Sequence, residues 1–233
     1  MVEDVKPCIL CLHGGGTSAA IFSAQTRGIR LALKAHFNFI FVDGPIASGP
    51  GPGVLPYFED SGPFFRWFSN FNSTKVVAEA ELKNLNKSID FELARQNKKA
   101  TDVQGVLGFS QGAVVAALIL RDAEYGEDAR WANIRFATLV CGAGGSQFAD
   151  MVKEKLTCPS IHVYGLMDPW VSRSKQLMKY FHPDTLEAIE FRGAHHIPAA
   201  SGDIQRLALL MIELYDDNCR LRFKVGYSTT CCS

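Results

Sequence analysis

The chain lacks any excess of charge: 24 Lys and Arg are balanced by 24 Asp and Glu in 233 residues. A balanced surface has no field to gather nucleic acid or an anionic membrane, so neither is expected as a partner. Long apolar runs are missing too, none reaching the ~20 residues that span a bilayer. The opening residues, MVEDVKP, carry no basic n-region and no apolar h-region. No secretory leader is expected, and the protein should be soluble and cytoplasmic.

Cysteine is present without the signs of a disulfide framework. The seven cysteines are odd in number and irregularly spaced, which points to reduced thiols in a chain without a leader. Cys8 and Cys11 form a C-x-x-C, but they lie in the apolar run CILCL, which reads as a strand. An offset of three sends them to opposite faces, which excludes a shared redox or zinc site. No His/Cys/Asp cluster has ligand spacing in the sequence, so neither a metal nor an organic cofactor is expected. Internal repeats, low-complexity blocks and shifts of composition are absent as well, and residues 1–233 read as a single domain.

What the chain has is apolar material, 47% of its residues, with 16 Phe spread along its length. Six short runs are rich in β-branched and aromatic residues: CILCL, FNFIFV, VQGVLGF, IRFATLVC, SIHVYG and LEAIEFR. Helical patterns lie between most of them. AVVAALILRDAEYG is apolar almost all round and ends at Gly126, as a helix buried on a sheet does. Ile204, Leu207, Leu210, Met211 and Leu214 form one apolar stripe near the end. Strand and helix in alternation predict an α/β fold, a mostly parallel sheet of about six strands with helices on both faces. The interval 45–72, dense in Gly, Pro and aromatic residues, breaks this rhythm and reads as a lid or pocket wall. Phe58, Phe64, Phe65, Trp67 and Phe68 are its candidate substrate-binding residues. Residues 224–233 read as a flexible tail.

Gly108-Phe109-Ser110-Gln111-Gly112 stands between an apolar strand and an apolar helix, the setting of a nucleophile elbow. A serine there projects from the C-terminal edge of the sheet. To attack a carbonyl it needs a base, and the base needs an acid to fix its tautomer. Asp168 follows the strand SIHVYG, and His195 and His196 follow LEAIEFR, all at the same sheet edge. Position alone does not separate the two histidines. Asp43, after the second strand, is a rival acid that would require a different chain order. Oxyanion donors are expected from the Gly14-Gly15-Gly16 run, with Gly15 preferred, and from the amide of Gln111.

These residues resemble the small fungal-type serine hydrolases called FSH hydrolases, within the α/β-hydrolase superfamily. The resemblance rests on ILCLHGGGTSAAIFSAQ, GPGVLPYFEDSGPFFRWF, GVLGFSQGA, HVYGLMDPWV and FRGAHHIP, and it covers nearly the whole chain. It implies a compact α/β-hydrolase fold. The family's G-x-H-x-x-P pattern falls on Gly193 to Pro198 and selects His195, although the chain has Ala194 where a second glycine is frequent. Its G-x-x-D pattern falls on Gly165 to Asp168. Several of the motifs look like those of thioesterases that accompany fungal polyketide synthases, which implies a small-molecule or carrier-bound acyl substrate and an acyl-carrier domain as partner. General carboxylesterases and acyl-protein thioesterases share GFSQG and remain an alternative, and a binding module with idle chemistry is a third reading.

Overall fold

In a computed structural model of the chain, residues 6–69, 79–126, 129–142 and 154–226 are described. All six apolar runs become strands of one sheet: β1 (Cys8–Leu12), β2 (Asn38–Val42), β5 (Val103–Phe109), β6 (Phe136–Val140), β7 (Ser160–Gly165) and β8 (Leu186–Phe191). Every pairing among them is parallel, in the spatial order β2-β1-β5-β6-β7-β8. β1, β5, β6 and β7 are buried along their whole length or nearly so, as central strands covered on both sides must be.

Among the described residues the covering comes from six helices, α1 (Ala19–Gln25), α2 (Arg27–Leu33), α3 (Glu79–Arg95), α4 (Gln111–Tyr125), α5 (Val171–Met178) and α6 (Ser201–Gly226). One core layer joins Leu10, Leu12 and Val106 of the sheet to α3 and α4 through Ile89, Leu93 and the run from Ala113 to Leu120. The opposite layer joins Ile9, Cys11 and Leu107 to α1, α2 and α6 through Phe22, Ile29, Leu207 and Met211. Cys8 belongs to the first layer and Cys11 to the second, both as free thiols, so the C-x-x-C is divided by the sheet. α4 buries its first ten residues and is closed at Gly126, whose amide donates to Asp122 O. Among the described residues no helix is long and apolar enough to cross a membrane. The last helix runs to Gly226, and 227–233 of the expected tail lie outside the described residues.

The chain leaves β1 toward β2 on one side and returns to β5 on the other. A crevice therefore opens at the carboxyl ends of β1 and β5, the switch point where open α/β sheets bind ligands. The described part of the 45–72 insertion, through residues 48–54, 66, 68 and 69, borders that crevice. It contains an element that its composition conceals: a short antiparallel pair, β3 (Ile46–Ser48) with β4 (Phe64–Arg66). Residues 70–72 of the insertion lie outside the described residues.

Candidate active site

Ser110 sits between β5 and α4 at φ 53° and ψ −113°, a left-handed conformation that costs energy in a residue with a side chain. Its neighbours permit the turn. A Cβ on Gly108 would stand 2.3 Å from Gly112 O, and one on Gly112 would stand 2.1 Å from Leu12 O. Only glycine fits at either place. Ser110 N–H donates to Val140 O at 2.9 Å, which ties the turn to β6.

The acid and base turns are fastened to each other rather than merely adjacent. Leu166 N–H donates to Phe191 O at 3.0 Å and Met167 N–H to Gly193 O at 2.9 Å. This binding brings Asp168 Oδ2 to 2.8 Å from His195 Nδ1, while His195 Nε2 lies 2.9 Å from Ser110 Oγ. The Asp168 side chain is fully buried, and its other oxygen accepts from Trp170 N–H at 2.7 Å. A carboxylate filled on both oxygens holds its position and keeps the His195 proton on Nδ1, leaving Nε2 to accept. Phe109 and Trp170 flank the imidazole, with centroids at 5.1 and 4.6 Å.

The same geometry sorts the rival residues. His196 turns away, with Nδ1 2.8 Å from Ile197 O and its ring against Phe191. Asp43 serves elsewhere, accepting Ala19 N–H at 2.6 Å at the start of α1, where a negative charge suits the helix. Of the glycine run, Gly16 is already engaged: its amide donates to Phe65 O at 2.7 Å, and Phe65 N–H donates to Thr17 O at 2.7 Å. Gly15 lies against Gln111, so the two amides expected to hold an oxyanion belong to neighbouring residues.

Three residues have roles that the sequence pattern did not show. His13 is wholly buried, and burial pushes its imidazole down to about 4. It is neutral: Nε2 accepts Gly44 N–H at 2.9 Å and Nδ1 lies 2.7 Å from Gly14 O, which braces the glycine loop from beneath. The Gln111 side chain accepts Trp67 N–H at 2.7 Å, and Trp67 Nε1–H donates to His13 O at 2.8 Å. Trp67 thus bolts the insertion to both the elbow and the glycine loop. The third is Cys141, at φ 48°, whose Sγ lies within 4.8 Å of ligand atoms of Asp168 and His195. This is a grouping of metal-ligand type that the spacing did not reveal. Burial pushes the thiol up to about 12, so it is protonated beside a carboxylate already held by two donors.

A cavity of about 560 Å³ opens above Ser110 and His195. It corrects the expectation of an aromatic wall. Of the five rings proposed, Phe68 alone lines it. Trp67 is wholly buried because its two N–H groups are satisfied inward, and Phe65 is spent as the β-pair partner of Ala47 and Thr17. Phe64 packs near Gly62, and Phe58 also stands off the cavity. Residues 48–54, together with Trp170, Arg66 and Arg173, supply the wall instead.

A parallel α/β sheet with a serine elbow, a histidine and a buried aspartate at one crevice defines a serine hydrolase of the α/β-hydrolase fold. Comparison with known proteins agrees: the chain belongs to the family described as serine hydrolase (FSH1), whose model matches residues 1–207. It is 33% identical over 239 residues to the thioesterase FSL2 of Gibberella zeae, covering 92% of this chain and 94% of that protein. It is 34% identical to the esterase FUS5 of Gibberella fujikuroi, covering 90% of this chain and 88% of that one. Among solved structures, a carboxylesterase from Mesorhizobium loti superposes with a TM-score of 0.59 at 19% identity, covering 90% of each chain, a likeness of fold.

Proposed function

We propose that this enzyme hydrolyses an acyl thioester or ester through an acyl-Ser110 intermediate. The observation that carries the reading is the unbroken hydrogen-bonded line from Ser110 Oγ through His195 to Asp168. Ser110 Oγ attacks the carbonyl carbon as its proton passes to His195 Nε2, and Asp168 stabilises the imidazolium that results. The amides of Gly15 and Gln111, at the N-terminus of α4, receive the oxyanion. His195 then gives its proton to the leaving thiol or alcohol, and water activated by the same nitrogen releases the acid.

The biological setting proposed is release or editing of a polyketide acyl chain in the cytoplasm, with an acyl-carrier domain presenting the substrate. The thioesterase and esterase names of the fungal relatives support it. A general carboxylesterase is the second reading. Ser110→Ala should abolish labelling by a fluorophosphonate and lower kcat by ~10⁴-fold or more. Retention of near-normal activity would overturn the mechanism. Faster turnover of carrier-bound than of free acyl esters favours the polyketide setting over the general esterase.

A further inference from the structure

The cavity is more polar than an aliphatic acyl chain requires. Two arginines, Arg66 from β4 and Arg173 from α5, line it, and its described lining contains no Asp or Glu. Arg66 is half-buried, and its one hydrogen bond, from Nη1 to Ser69 O, is long at 3.4 Å. Its Nε is buried without a partner, as is Oε1 of Gln25, a further lining residue. Arg66 lines the cavity and stays partly exposed, and one long bond leaves most of its terminal N–H donors open to an acceptor. Among the described residues no second protein acceptor meets them. The missing acceptor fits a ligand group.

Arg66 is also held in place by the machinery it adjoins. It pairs with Ile46 in the β3–β4 ladder and directly precedes Trp67, whose backbone amide is fixed by Gln111. Its backbone therefore occupies a set position relative to the elbow, with the guanidinium within reach of the cavity. A planar guanidinium fork is suited to a carboxylate or a phosphate.

We infer that the cavity selects substrates bearing an anionic group, a carboxylate or phosphate, which Arg66 binds. This deepens the acyl-hydrolase reading above and rests on it. The anion can enter from either half of the substrate, as a carboxylate on the acyl chain or a phosphate on the leaving group.

Two matched pairs of substrates distinguish these sources. For the acyl side, the p-nitrophenyl monoester of glutaric acid is compared with neutral p-nitrophenyl pentanoate. For the leaving group, butyryl-coenzyme A is compared with the thioester of butyrate and N-acetylcysteamine. At least one anionic member should have the higher kcat/KM, mainly through a lower KM, and the advantage should shrink with added NaCl. Arg66→Gln should reduce the anionic-to-neutral ratio roughly 10- to 100-fold, the scale of a hydrogen bond to a charged group, and Arg66→Lys should restore part of it. Neutral members performing as well in both pairs would overturn the inference. So would an anionic preference that survives in Arg66→Gln. If neither pair is turned over, calorimetric titration of glutarate and coenzyme A into the Ser110→Ala protein decides separately from the chemistry. Binding that weakens in the Ser110→Ala, Arg66→Gln double variant supports the anion site, and absence of binding rejects it.

Discussion

Replacing His162 should flatten the acid side of the stability profile. The ring is buried within β7, stands edge-on to Phe181 at 4.5 Å, and its Nε2 has no partner. Burial pushes the imidazole from 6.5 down to about 3, so the folded protein refuses a proton that the unfolded chain accepts. Above pH 6.5 the group is neutral in both states and contributes nothing to pH dependence. Below that value the unfolded state is favoured increasingly until the folded pKa is reached. Between pH 7 and pH 5 the loss is about 2 kcal/mol for one such histidine, from the proton uptake of the unfolded chain. His13, depressed to about 4 by its own burial, adds a similar loss over the same interval. Urea unfolding of the parent and of His162→Leu at both pH values measures the difference. Whatever the variant's stability at pH 7, its loss on acidification should be smaller by about 2 kcal/mol. Equal losses would show that His162 titrates normally when folded and would refute the argument from burial.

The two adjacent histidines should differ sharply: His195→Ala lowers kcat by ~10⁴-fold, whereas His196→Ala, whose Nδ1 is turned to Ile197 O and whose ring packs on Phe191, costs about tenfold or less. The reverse order in steady-state assays would misplace the base. Asp168→Asn should keep the bond from Trp170 N–H yet present a donor to His195 Nδ1, dropping kcat by ~10⁴-fold with little change in thermal midpoint. A variant with most of its kcat would reject the tautomer argument. Trp67→Phe leaves His13 O buried and unpaired, a loss of about 1–3 kcal/mol in urea unfolding. Because that carbonyl begins the glycine loop, kcat should fall more than KM rises; unaltered stability and kcat would mean that Trp67 does not secure the loop.

The strands were legible because a covered parallel strand is a short block of β-branched and aromatic residues, and six such blocks became six strands. Ser110 and Asp168 were legible for a related reason, since each follows a strand directly and both strands end at one edge. His195 was separated from His196 only by a family pattern, because one residue of register in a loop leaves no periodic trace. The hairpin of the insertion escaped detection because three-residue strands are too short for alternation to register. Composition also misled in assigning the aromatic wall. It locates rings but not their direction, and Trp67 faces inward because two polar N–H groups find acceptors there. Gly16 could be set apart from Gly15 only by knowing that Phe65, some fifty residues on, takes its amide.

The double attachment of the insertion separates two properties of the molecule that usually change together. Gly51 N–H donates to Gly16 O at 2.9 Å, and Phe65 closes the other flank of that loop, so both ends of the span are anchored to the chemistry. Between the anchors, Leu55 and Tyr57 are 47% and 84% exposed. Chain inserted, trimmed or exchanged from 55 to 62 is therefore expected to leave Ser110, His195 and the glycine loop in place. That stretch is a natural graft point, a place beside the cavity where new loops could be carried by an unchanged reaction centre.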